Sequence, residues 1–177
     1  MTETFLVSDT HFGHVNICKF LNEDGSKVRP WSDVNEMDEY MVDAWNKTVK
    51  PTDKVYHLGD VVINRKALSI LDRLNGDKVL IKGNHDIFKL GDYTPYFRDI
   101  RSYHVTHISD KRNIIFSHIP LHEESLGRFK YNIHGHLHGN RVLKSGIVDY
   151  RYINVCVEWT NYTPIPYDTV LENLTTY

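Results

Sequence analysis

Aspartate, asparagine and histidine gather in five short blocks of this chain, each placed directly after an apolar run. Asp9-Thr10-His11 follows Phe5-Leu6-Val7-Ser8, and Gly59-Asp60 follows Val55-Tyr56-His57-Leu58. Gly83-Asn84-His85-Asp86 follows Val79-Leu80-Ile81-Lys82, and His118 follows Ile114-Ile115-Phe116-Ser117. His134-Gly135-His136-Leu137-His138 follows Tyr131-Asn132-Ile133. Oxygen and imidazole donors with no thiolate suit Mn²⁺, Fe, Zn²⁺ or Ni²⁺ rather than a structural zinc knot. The candidate ligands are Asp9, His11, Asp60, Asn84, His118, His136 and His138. They are too many for one ion, and enough for two octahedral ions bridged by a carboxylate and a water. Asp9 and His11 are two residues apart, as are His136 and His138, so on extended backbone each pair shares a face. Of 11 histidines, six (His11, His14, His85, His118, His136, His138) fall at or just after the junctions, which argues for a site rather than surface drift.

Such a site needs strands whose ends converge. Between the first two junctions, Val34, Met37, Met41, Ala44 and Trp45 recur at helical spacing, with Asp38, Glu39, Asp43 and Lys47 opposite. Asp33 with Glu36 resembles a capping box. A second helix is expected over Lys66 to Leu74, closed by Asn75-Gly76. Alternating strands and helices indicate an α/β fold, in which ligands bind beyond the carboxyl ends of the strands. Residues 99 to 117 read as two strands around a turn at Asp110-Lys111-Arg112. Arg151 to Val157 reads as another strand and Asp168 to Leu174 as a short helix. Asn22 to Trp31 and His122 to Lys130 read as loops.

The 177 residues suit one domain spanning 1–177. With 41% hydrophobic and 25% charged residues, the composition is that of a globular protein. A net charge of −2 gives no footprint for nonspecific nucleic-acid binding. Cys18 and Cys156 form no Cys-x-x-Cys pair and read as reduced thiols. The first residues lack the basic and apolar regions of a signal peptide, and no run approaches the ~18 apolar residues of a membrane span. A cytoplasmic protein is therefore expected.

The five blocks, in this order across residues 9 to 138, resemble the signature of calcineurin-like metallophosphoesterases. The Asp-Thr-His-Phe-Gly-His run at 9–14, and the tail Ile153-Asn154-Val155-Cys156-Val157 with Trp159 to Pro166, are similar to small bacterial and phage members. The resemblance implies a four-layer αββα sandwich of two mixed β-sheets flanked by helices. It implies one metal on Asp9, His11 and His138, a second on Asn84, His118 and His136, and Asp60 bridging them. Two divalent ions are expected, Mn²⁺ first among them. It implies a hydroxide formed between the ions that attacks phosphorus in line, with His85 as general acid. In several branches a histidine or acid three residues after the bridging aspartate supports the catalytic histidine. Here that position is Ile63, which leaves Asp86 or a distant carboxylate to orient His85.

For substrate contacts the candidates are His14, His122, and two guanidinium groups matched to phosphate, Arg29 and Arg128. His57, His104, His107 and His134 read as structural. The expected substrate is a small phosphodiester or nucleotide, and a phosphomonoester is the alternative. A catalytically silent metal-bound scaffold is the reading from another class. Small members of this family are often dimers, so a homodimer is a further expectation.

Overall fold

The computed structural model describes residues 2–108 and 112–175. In chain order the elements are β1 (Thr4–Val7), α1 (Val34–Thr48), β2 (Lys54–His57), β3 (Asp77–Ile81), α2 (Leu90–Tyr93), β4 (Asp99–Arg101), β5 (Tyr103–Ile108), β6 (Arg112–Ser117), α3 (Glu123–Leu126), β7 (Phe129–His134), β8 (Leu143–Lys144), β9 (Ile147–Val148), β10 (Tyr152–Asn154), β11 (Ile165–Pro166) and α4 (Tyr167–Thr175). Short 3₁₀ segments cover Val15–Cys18 and Arg65–Arg73.

One sheet runs β11-β1-β2-β3-β4 and the other β10-β7-β6-β5. Both are mixed: β1 to β4 are parallel with β11 antiparallel, and β10, β7 and β6 are parallel with β5 antiparallel. Strands buried on both faces read as continuous apolar runs, and here alternate residues feed different cores. Phe5, Val7, Val55 and Leu80 pack outward against α1 and the Arg65–Arg73 segment, with Met37, Met41, Trp45, Leu68 and Leu71. Leu6, Tyr56, Val79 and Ile81 pack inward against Ile114, Phe116 and Ile133 of the second sheet. The outer face of that sheet has a thinner cover, where Ile115 and Tyr152 meet Leu126 of the single-turn α3. The helical layer is therefore deep on one side of the sandwich and one turn thick on the other. Among the described residues no helix is long and apolar enough to cross a membrane.

Local differences from the sequence reading have simple causes. Asp33 caps α1 by accepting from Asn35 N–H at 2.8 Å; the reciprocal Glu36 half of a capping box is not among the bonds of the described residues. The second expected helix forms, but as 3₁₀ turns opened by Asn64, whose side chain accepts from Ala67 N–H. The loop expected at His122 to Lys130 contains α3 and the start of β7. The turn expected at Asp110-Lys111-Arg112 lies outside the described residues except for Arg112, which begins β6. Both cysteines are free and buried.

Parallel pairing decides where the chemistry sits. β1, β2, β3, β6, β7 and β10 each continue from their carboxyl ends into the polar blocks. A parallel bridge between Ser8 and Cys156 joins the extension of β1 to that of β10, so both sheets deliver their strand ends to one edge. Val157 N–H donates to Ser8 O at 3.1 Å across this seam.

Candidate metal centre

Two clusters of ligand-type side chains form at that edge: Asp9, His11 and His138, and Asp60, His118 and His136. Within each, one donor atom per residue lies within 4.8 Å of the others. Asn84 completes the second cluster, its Oδ1 lying 2.8 Å from His118 Nε2 and 2.9 Å from His136 Nδ1. Asp60 stands between the clusters. Its Oδ2 is 3.7 Å from His11 Nε2 and 3.3 Å from His118 Nε2. Its Oδ1 accepts the His85 backbone N–H at 2.8 Å, which fixes the carboxylate's orientation.

The donor sets fit cations. Asp9 Oδ1 and both ring nitrogens of His11 are buried without a hydrogen-bond partner among the described residues. Buried polar atoms are rarely left so, and His11 Nε2 and Asp9 Oδ1, 3.6 Å apart, form a pair that a cation between them would satisfy. The other oxygen, Asp9 Oδ2, accepts from Ser8 Oγ at 2.6 Å, His136 N–H at 2.8 Å and Cys156 Sγ at 3.2 Å, which leaves Oδ1 to face inward. Carbonyl and carboxylate partners set the imidazole tautomers. His118 Nδ1 donates to Leu58 O at 2.7 Å, and His138 Nδ1 donates to Glu158 Oε1 at 3.0 Å. Each therefore presents a lone pair on Nε2.

Backbone conformation aims these side chains. Asp9 (φ 59°), His11 (49°), Asp60 (56°), His136 (68°) and His138 (48°) all lie in the left-handed region. That conformation costs non-glycine residues roughly 1–2 kcal/mol each and persists where surroundings over-determine it. The paired donors Asp9/His11 and His136/His138 thus converge through left-handed turns. The alternation of an extended segment, expected from the sequence, is not the reason. Backbone bonds brace the first turn against the Asp60 turn: Asp9 N–H donates to Gly59 O and His11 N–H to Asp60 O, both at 3.0 Å. Gly59 itself sits at φ 99° against the Gly83 backbone. At Gly135 a side chain would overlap Ser8 Oγ and Asp9 Oδ2, so glycine is required for the fifth block to approach the first.

Mutual charges shape the titration of the two clusters. Burial opposes the charge of Asp9, yet the surrounding His11, His118 and His138 hold its carboxyl far below the usual range. Burial likewise opposes charge on Asp60 and His118, but their contact lowers the first and raises the second. His14 is pushed down to about 4, by burial first and then by the neighbouring His11 and Arg29.

His85 is exposed, its ring 5.6 Å from that of His11. Asp86 does not orient it. The Asp86 carboxylate accepts from the backbone N–H groups of Gly83, Asp60 and Val61 at 2.8, 2.9 and 3.0 Å, tying the second and third blocks together. Ile63 is half-buried in the turn after Asp60 and brings no polar group.

The other expected contacts separate sharply. His14 lies beside the first cluster, its ring 5.7 Å from that of His11. Arg29 does not face a substrate: it is fully buried, pairs with Glu158 at 2.9 Å, and donates to the carbonyls of Thr10 and Asp9. A charge with every nitrogen bonded to protein has no donor left for phosphate. His122 is exposed, accepts from Glu124 N–H at the start of α3, and lines a separate cleft of about 590 Å³ with Leu121, Val142 and Tyr152. Arg128 is exposed. His57 is structural, as expected. Gly59 N–H donates to its Nδ1, so its Nε2–H donates to Thr10 Oγ1 at 3.0 Å. His134 is buried with Nδ1 donating to Gly135 O, and His104 bonds Tyr56 and Arg101. His107 bonds Asn113.

Sequence reasoning missed Glu158, which orients His138, and the pair Trp159 and Arg141. Trp159 Nε1 donates to His138 O at 2.8 Å, and the Arg141 guanidinium lies 4.2 Å over its ring. The carboxylate-type residue directly after Val157, at the end of a sixth apolar run, was the available signal for Glu158.

A family model described as calcineurin-like phosphoesterase matches residues 4–169. An uncharacterized protein of Methanocaldococcus jannaschii is 34% identical over 182 residues, covering 97% of this chain and 91% of its own length. The gene 66 protein of Mycobacterium phage L5 is 33% identical over 91 residues, 49% of this chain and 41% of its own. Among solved structures, a protein of unknown function from Aquifex aeolicus superposes with a TM-score of 0.71 at 28% identity, covering 97% of this chain and 99% of its own.

Proposed function

The chain belongs to the calcineurin-like phosphoesterase family, and from that premise we propose that it hydrolyses a small phosphoester at a two-cation centre. The observation that carries this is the sharing of Asp60 Oδ2 between two complete donor clusters. Asp9, His11 and His138 would hold one divalent ion, Asn84, His118 and His136 the other, and Asp60 both. Mn²⁺ is the first choice for this nitrogen and oxygen set. Ions bound there supply charge that acidifies water and neutralises phosphoryl oxygens.

The remaining steps fall to the protein. His85 gives a proton to the departing oxygen, from an imidazole that is exposed at the mouth of the site. Its backbone bond to Asp60 keeps the donor in a set relation to the centre. His14 and the stacked Arg141 contact the rest of the substrate. Arg141 takes the place of Arg29 as the guanidinium for phosphate, because it is exposed and held by Trp159 beside His138. In the sequence no dedicated cluster of basic residues flanks the motifs to hold a dianion, which favours a phosphodiester over a monoester.

A panel of Mn²⁺, Zn²⁺ and Ni²⁺ against mono- and bis-nitrophenyl phosphate and cyclic nucleotides tests this reading. Mn²⁺-dependent turnover of the diester is expected. Preference for the monoester would reassign the substrate class, and no turnover of any member would sink the enzyme reading. Arg141→Ala should raise KM severalfold with little change in kcat; an unchanged KM would remove Arg141 from the site.

A further inference from the structure

Arg29 and Glu158 are distant in sequence, buried together, and used by no step above. Arg29 Nε and Nη2 both lie 2.9 Å from Glu158 Oε1. The same oxygen accepts His138 Nδ1–H at 3.0 Å. On its other side the guanidinium donates from Nη1 to Thr10 O at 2.8 Å and from Nη2 to Asp9 O. Those carbonyls belong to the left-handed turn that carries Asp9 and His11. One cation thus holds the backbone that presents two ligands and the carboxylate that orients the third. The imidazoles of the second cluster are set from elsewhere: Leu58 O sets His118, and Asn84 Oδ1 meets both His118 and His136, while the one direct tie to the first cluster is the His136 backbone N–H on Asp9 Oδ2.

We propose that the Arg29–Glu158 pair is a positioning device for one metal site alone, the Asp9–His11–His138 site, and that it gives the two sites separately adjustable affinities. The proposal rests on the two-cation reading. A planar fork is required, since two carbonyls and a carboxylate must be met at once; a lysine supplies charge without that geometry. Loss of such an outer partner weakens metal binding by about 10–100-fold.

The test is Mn²⁺ binding by calorimetry, with electron paramagnetic resonance to tell a spin-coupled pair from isolated ions. The wild type should bind two Mn²⁺ per chain with a coupled spectrum. Glu158→Asp keeps the charge opposite Arg29 but withdraws the carboxylate from His138, and Arg29→Lys keeps the charge but loses the fork. Each should weaken one binding event at least tenfold, leave the other within about twofold, and give an isolated-ion spectrum at one equivalent bound. His138→Ala should remove the same event, and His118→Ala the other. If the less tolerant variant fails to fold, the other carries the result. Equal weakening of both events, or of neither, overturns the proposal. A wild type that binds no Mn²⁺ overturns the two-cation reading itself, a distinct result.

Discussion

The two halves of the candidate metal centre are built differently. Asp9 and His11 are buried, and their turn rests on a buried ion pair formed by residues far away in the chain. His138 and His136 are half-buried alike, but the other half adds the exposed Asn84, a neutral amide where a carboxylate could have been. The first half gains rigidity from tertiary partners. The second meets solvent at Asn84, next to the exposed His85, whose ring lies 5.6 Å from that of His11. Under the proposed function, a centre that binds ions firmly and still admits a phosphoester would benefit from dividing these demands.

The most damaging change should be at the residue both halves share. Asp60→Asn should cut turnover by several orders of magnitude and weaken both Mn²⁺ sites while circular dichroism stays native. Loss at one site alone would break the picture of a common bridge. His85→Ala should keep both ions, lower kcat by about 10²–10⁴, and slow substrates with poor leaving groups most. A uniform loss across leaving groups would remove the proton-donor role. Asn84→Ala touches the open half: one Mn²⁺ should bind about tenfold more weakly with the other unchanged, as read by calorimetry. If both weaken, the halves are less independent than their partners suggest.

The smallest effect concerns the beds beneath the halves. Burial pushes His57, under the Asp9–His11 turn, down to about 3, and His134, ahead of His136, down to about 4. Unfolded, both titrate near ~6.5. Their folded values are depressed, so the unfolded state binds more protons between these limits. Their contribution to stability is complete above ~6.5 and is lost as pH falls toward 3. The thermal midpoint of the metal-free protein should therefore drop from pH 7 to 4. The drop should be shallower in His57→Gln, and an equally steep one would show that His57 is not its source.

Particular residues show what could be read in advance. The ligand blocks were legible because parallel strands end at one edge, so each apolar run marks its own polar terminus. Val34–Thr48 was legible from its periodicity and its Asp33 cap. The inward and outward halves of β1 were not, because Phe5, Leu6 and Val7 are all apolar and their faces differ only by which core each meets. Arg29 looked like a phosphate clamp because a loop arginine gives no local sign of burial. Asp86 looked like a partner for His85 because it is adjacent, whereas its carboxylate turns back to three backbone amides.

By itself the sequence determined the donor types, their order and the family, since these depend on residue identity at short spacing. The tertiary structure decided that Asp60 faces both clusters, that five candidate ligands adopt left-handed backbone, and that Glu158 and Arg29 stand behind one cluster. The physical reason is range. Spacing of a few residues governs what a strand end carries. Orientation depends on hydrogen bonds to partners about twenty to more than a hundred residues away, some of them made across the seam between the two sheets.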